Sequence, residues 1–284
     1  MFVYARRPGD RDLTQQAQPA AGPRLVLEVQ NVTRRFESNR QAVTALENVS
    51  FQVHEGEFVC IVGASGGGKS TLLNIIAGLD APDAGHTFFD GRHVTGPGPD
   101  RILVFQEPAL LPWLNVRQNV EFGLKLKRMA ARESAERVQR YLDLVHLGAY
   151  QELHPHELSG GMRQRVQIAR ALAVEPRMLL MDEPFAALDA QTREELEDEL
   201  QQVWARTRST VLFVTHNVRE AALLADRVIV MTSSPGRVKT EIPVPLPRPR
   251  QPDSPHVNAV AVWIRSELQH RDNATQGGAD AAHE

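Results

Sequence analysis

The run Gly63-Ala64-Ser65-Gly66-Gly67-Gly68-Lys69-Ser70 constrains this chain more than any other stretch. It fits G-x-x-x-x-G-K-[ST], a loop whose backbone N–H groups cradle phosphates. Such a loop works only between a buried strand and the N-terminus of a helix. Phe58-Val59-Cys60-Ile61-Val62 is a continuous apolar run, as expected of a strand buried on both faces. Residues 71–77 read as a helix closed by Gly78. The glycines allow the φ values that turn successive N–H groups inward. Lys69 would reach the β- and γ-phosphates, and the Ser70 hydroxyl would ligate Mg²⁺. The alternative, a merely flexible glycine turn, does not need the strand and the helix that flank it here.

The rest of the chain repeats this alternation. Leu25, Leu27 and Val29, then Val49, Phe51 and Val53, recur at strand spacing. Residues 178–181, 210–214 and 227–231 are short apolar strand runs, and residues 191–206 form a charged helix. Strands alternating with helices imply a mostly parallel sheet covered on both sides. Residues 112–157 are mostly helical, with periodic apolar positions over 121–129 and over 134–147, the second closed by Gly148. They read as an insertion into the sheet domain. Residues 1–23 read as a disordered tail and the proline-rich residues 243–255 as an extended linker. A short amphipathic helix near residues 257–270 and a frayed tail follow.

Lys and Arg number 32 against 35 Asp and Glu, which gives no electrostatic case for binding nucleic acid. The single cysteine, Cys60, sits in an apolar strand run. A buried core residue is the simpler reading than a reactive thiol, and no disulfide can form within the chain. No run of about 18 apolar residues spans a bilayer, and no apolar segment follows Arg6 and Arg7 to make a signal peptide. Work at a membrane would require recruitment by a partner.

Three further groups carry chemistry. Asp182 and Glu183 close the apolar run 178–181. A carboxylate there is placed to hold Mg²⁺, and the next one to polarise an attacking water. A solvated or helix-capping pair is the alternative. His216 follows the run 210–214 and could donate where charge develops on a γ-phosphate; otherwise it is a polar strand-end residue. Ser159-Gly160-Gly161 opens a helix. It is either a plain N-cap or a second anion site. One nucleotide site does not need two such loops, so the second points to a neighbouring subunit.

Together these residues resemble the ABC ATPase family over about residues 25–240. Walker A falls at 63–71, including Thr71, Walker B at 178–183 and the signature at 158–162. The resemblance makes Gln106 the Q-loop glutamine, a metal and γ-phosphate contact. It makes Asp189 the D-loop aspartate, His216 the switch histidine and Phe36 the adenine-stacking aromatic. Phe36 could instead be core. The chain departs from the family pattern at Met162, Ala186 and Asn217, none of them a nucleotide ligand. The fold implied is an α/β P-loop NTPase (RecA-like) core with a mostly parallel sheet. An antiparallel β subdomain and a helical insertion at about 107–165 complete a domain spanning 24–242, and 243–284 form the linker and tail.

The activity implied is hydrolysis of ATP with Mg²⁺. The partners implied are a second copy of the chain, membrane permease subunits and, indirectly, a solute-binding protein. The location implied is the cytoplasmic face of the inner membrane, held through the permease. Membrane helices, a second ATPase domain and long heptads are all absent from the sequence, which leaves a separate importer subunit. Residues 104–113, 158–166 and 234–238 look like the nitrate/sulfonate/taurine branch. A nucleotide-dependent structural or regulatory module is the alternative function; loss of Glu183 or His216 would have signalled it. The apolar group Leu110, Leu111, Trp113 and Leu114 either packs beneath the insertion or receives the permease.

Overall fold

The computed structural model describes residues 24–38 and 41–269. The reading of 1–23 as a tail, and of the residues beyond 269, lies outside them. Two sheets enclose the first helix. β1 (Leu25–Ser38), β2 (Gln41–His54), β4 (Ala84–Phe89) and β5 (Arg92–His93) form an antiparallel sheet in the order β2-β1-β4-β5. The central sheet has the order β10-β9-β3-β8-β7-β6. Its members are β3 (Phe58–Val62), β6 (Arg101–Val104), β7 (Met178–Asp182), β8 (Thr210–Thr215), β9 (Arg227–Met231) and β10 (Val238–Pro243). Its pairs are parallel except β9–β10.

The period-two rule places two cores on the faces of this sheet. Val59, Ile61, Leu180, Leu212 and Ile229 face a core shared with α1 (Lys69–Ala77) and the antiparallel sheet. Phe58, Cys60, Val62, Leu179, Met181 and Phe213 face a larger core shared with the remaining helices. That is why β3, β7, β8 and β9 read as unbroken apolar runs. Cys60 is fully buried, and burial pushes its thiol well up.

The helical block comprises α2 (Val116–Leu126), α3 (Ala131–Leu144) and α4 (Gly160–Ala173), which pack on one another; α4 also packs on β6. α2 starts at a reciprocal cap. Asn115 accepts from the Gln118 backbone N–H at 2.8 Å, and Gln118 accepts from Asn115 N–H at 3.1 Å. α5 (Ala190–Thr207), α6 (Val218–Leu224) and α7 (Pro255–Gln269) complete the larger core.

Several sequence expectations shift. Leu25 is exposed and Val26 buried, because an irregularity between Leu25 and Leu27 breaks the alternation. α3 ends at Leu144, and Gly148 begins a 3₁₀ turn rather than closing the helix. The proline-rich segment is extended but packed. Val244 is buried, and Arg250 is 5% exposed. Its guanidinium donates to the carbonyls of Ala222, Leu223 and Ala225 at the end of α6 and to Val244 and Leu246. These carbonyls have no partners within the helix, so the arginine caps α6 from outside.

Candidate functional site

Parallel pairing aligns the C-terminal ends of five strands. Val62 lies beside Thr215 and Val230, Asp182 beside Val214, and Val104 beside Met181. The loops that follow therefore emerge along one edge, the usual ligand position in such sheets. The phosphate loop leaves β3, Gln106 follows β6, Glu183 follows β7 and His216 follows β8.

Gly68 sits at φ 74°, and a Cβ there would meet the Ala45 carbonyl at 2.6 Å. The loop thus turns in the left-handed region with β2 directly behind it. Lys69 folds back over the loop. Its Nζ donates to the carbonyls of Gly63 and Ala64, both at 2.9 Å. Burial lowers its pKa, and the Glu183 and Asp182 carboxylates oppose that shift. The Ser70 hydroxyl donates to Asp182 Oδ1 at 3.1 Å. Burial raises the Asp182 carboxyl, and this hydrogen bond acts against the rise. A hydroxyl and a carboxylate at this spacing form a hard-oxygen pair that suits Mg²⁺.

Glu183 Oε2 and His216 Nδ1 are 2.7 Å apart. Glu183 has φ 43°, a left-handed conformation costing roughly 1–2 kcal/mol for a residue with a Cβ. Its N–H donates to the Val214 carbonyl at 2.9 Å, which holds the turn at the strand end. Such strain concentrates where a side chain must be aimed.

The remaining expected residues stand apart from this cluster. Ser159 caps α4, accepting from Met162 N–H at 3.2 Å, and is exposed. The Gly160–Gly161 turn packs near Leu188 and Thr192. Asp189 caps α5, accepting from the Thr192 N–H at 3.0 Å and hydroxyl at 2.7 Å, and these bonds hold its carboxyl below the ordinary range. Gln106 is exposed just past β6. Phe36 is 42% exposed, which removes the core reading; Arg34 lies over its ring at 4.9 Å from the centroid. Among the described residues, no hydrogen bond joins Ser159, Gln106 or Phe36 to Lys69, Ser70, Asp182 or Glu183.

Residues 234–238, which in sequence carry only a family likeness, form a turn against the phosphate loop. Gly236 donates to the Ala45 carbonyl and accepts from Glu47 N–H, both at 2.9 Å. A Cβ on Gly236 would meet the Gly67 carbonyl at 2.2 Å. This turn therefore backs the phosphate loop from behind, and only glycine fits. The Ser-Pro-Gly composition was the available signal, since it marks a turn.

A protein of Methanocaldococcus jannaschii, named as an uncharacterized ABC transporter ATP-binding protein, is 50% identical over 80% of this chain and 85% of its own length. The ABC transporter family model matches residues 46–186. The chain belongs to the ABC transporter family. It is the family's ATP-binding subunit, an ATPase on a P-loop NTPase fold. A nitrate import ATP-binding protein of Synechocystis sp. is 52% identical over 78% of this chain and 83% of its own. A bicarbonate transport ATP-binding protein of the same organism is 44% identical over 84% and 88%. Among solved structures, an ATP-binding cassette captured as a dimer in a post-hydrolysis state with ADP and Pi superposes with TM-score 0.69. It is 35% identical and covers 77% of this chain and 98% of its own. Among the described residues of this cassette, no helix is long and apolar enough to cross a membrane.

Proposed function

We propose that this cassette hydrolyses ATP at a head-to-tail dimer interface to drive uptake of a small anion through a separate permease. The observation that carries the reading is the convergence of Lys69, the Ser70–Asp182 pair and the Glu183–His216 pair at one sheet edge. Residues 63–71 and the N-terminus of α1 bind the phosphates, with Lys69 released from its loop carbonyls to the β- and γ-phosphates. Ser70, Asp182 and Gln106 would hold Mg²⁺, which supplies charge neutralisation on the phosphate oxygens when bound. Glu183 takes the proton of the attacking water, and His216 donates to the γ-phosphate. Phe36, with its ring partly exposed, stacks on the adenine. Ser159, Gly160 and Gly161, with Asp189, close the ATP held by the second copy.

The names of the nitrate and bicarbonate relatives support a small anion as solute and importer permease subunits as partners, with a solute-binding protein acting indirectly. The chain would lie at the cytoplasmic face of the inner membrane, held there by the permease. Residues 106–119 are the candidate docking segment. Leu110 packs against the larger core, while Trp113 is 71% exposed. The buried Asn119 holds the segment's shape: its amide donates to the carbonyls of Leu111, Leu114 and Asn115. The segment is thus rigid beneath and apolar at its tip.

Lys69→Ala tests the site. It removes the charge-assisted phosphate contact, worth about 1.5–3 kcal/mol, so ATP affinity should fall about ten-fold or more. A calorimetric titration giving near wild-type affinity would remove Lys69 from the phosphate site.

A further inference from the structure

The two turns that aim Glu183 and His216 are joined beneath the site by residues outside it. Glu220, on α6, is 4% exposed. Its Oε2 accepts from the Thr215 hydroxyl at 2.6 Å and its Oε1 from the Asn217 amide at 3.1 Å. Thr215 and Asn217 flank His216, so one carboxylate grips both sides of the histidine. Thr215 Oγ1 also accepts from Asn217 N–H at 2.9 Å, which closes the turn.

Arg193, on α5, lies 3.8 Å from Glu220 Oε1. Its guanidinium donates to the Phe185 carbonyl at 3.4 Å and to the Leu188 carbonyl at 2.9 Å. Phe185 and Leu188 lie in the turn between Glu183 and Asp189. Arg193 therefore fixes one turn while Glu220 fixes the other, and the two charges meet. Burial raises the Glu220 carboxyl; the Thr215 hydroxyl, Arg193 and Asn217 act against that rise.

We propose that Glu220 and Arg193 are positioning residues, a brace anchored on the buried Glu220 that sets His216 against Glu183 without touching nucleotide. The arrangement explains why an acid is buried here at all, since an unpaired buried charge is costly and Glu220 has two hydrogen-bond donors and the half-buried Arg193 beside it. It also links the turn carrying Asp189 to the turn carrying His216, so a shift of one biases the other. The inference rests on the reading of His216 as the γ-phosphate contact.

The test is a double-mutant cycle on ATP hydrolysis by the full chain, with nucleotide affinity measured alongside. Glu220→Ala should lower kcat about ten- to a hundred-fold, and Glu220→Gln, which keeps an acceptor oxygen, should recover part of the loss. ATP affinity should stay within about two-fold in both, because the phosphate loop is untouched. In a His216→Ala background, Glu220→Ala should cost nothing further. If Glu220→Ala does not fold, Thr215→Val removes one arm of the grip at constant volume and should reproduce the kcat loss. Wild-type kcat in a folded Glu220→Ala or Thr215→Val variant overturns the brace. An undiminished loss in the His216→Ala background also overturns it. A normal rate for His216→Ala alone would instead overturn the role of His216.

Discussion

Glu197 tests the electrostatics of single residues. It lies on α5 and is 5% exposed. Burial pushes its carboxyl up to about 7, the nearby Glu220 carboxylate adds to the rise, and Arg193 and Arg219 oppose it. A carboxyl whose folded pKa is raised binds more protons folded than unfolded across the intervening window. Its ionisation therefore destabilises the fold progressively as pH rises from about 4.5 to about 7. Glu197→Gln cannot ionise. It should gain on the wild type over that window, by on the order of 1–3 kcal/mol at pH 8 relative to pH 4.5. Denaturant unfolding at both pH values reads the difference, and a gap independent of pH would contradict it.

At the level of elements, the segment after β10 is where composition and packing part company. Residues 243–255 read as a linker because prolines crowd them, yet Arg250 pins them to α6. The Arg250 guanidinium is buried and remains charged, with its pKa lowered to about 10 by burial and by Arg248. Arg250→Met would take the guanidinium donor from the carbonyls of Ala222, Leu223 and Ala225, leaving only Arg248 at the Leu224 carbonyl. Losing a buried charged hydrogen-bond network costs about 3–5 kcal/mol. Urea unfolding should show a loss of that size; a change under about 1 kcal/mol would mean that the strap does not support the helix.

Sequence pattern carried β3, β7, β8 and β9, because burial on both faces leaves continuous apolar runs. It placed Asp182, Glu183 and His216 at the ends of β7 and β8, and Lys69 and Ser70 at the start of α1. It did not carry β4, β6 or β10, whose short and mixed sequences become strands only through partners distant in the chain. The same holds for Arg250, Gly236 and the Glu220–Arg193 pair. Each acts on backbone carbonyls or turns that the fold, and not local sequence, brings near.

On the scale of the whole molecule, the proposed head-to-tail dimer would bring together two unlike surfaces of the cassette. One is the edge with Lys69, Ser70, Asp182, Glu183 and His216. The other is the exposed Ser159 turn, which packs beside Leu188 and Thr192. A two-fold axis would place each Ser159 turn over the partner's edge, burying a pair of ATP molecules. Hydrolysis would remove the γ-phosphates that bridge the copies and let them part, the motion a permease can use.

Glu183→Gln isolates this claim. The amide keeps the size and much of the hydrogen bonding to His216 but cannot take a proton. Loss of a general base costs about 10²- to 10⁴-fold in rate. ATP binding should survive, so the variant should accumulate as an ATP-bound dimer. The measurement is size-exclusion chromatography with ATP and Mg²⁺, beside a turnover assay on the same sample. The expected result is a dimer with bound ATP and turnover reduced by at least about a hundred-fold. Turnover at the wild-type rate, or an inactive variant that binds ATP and stays monomeric, would contradict it.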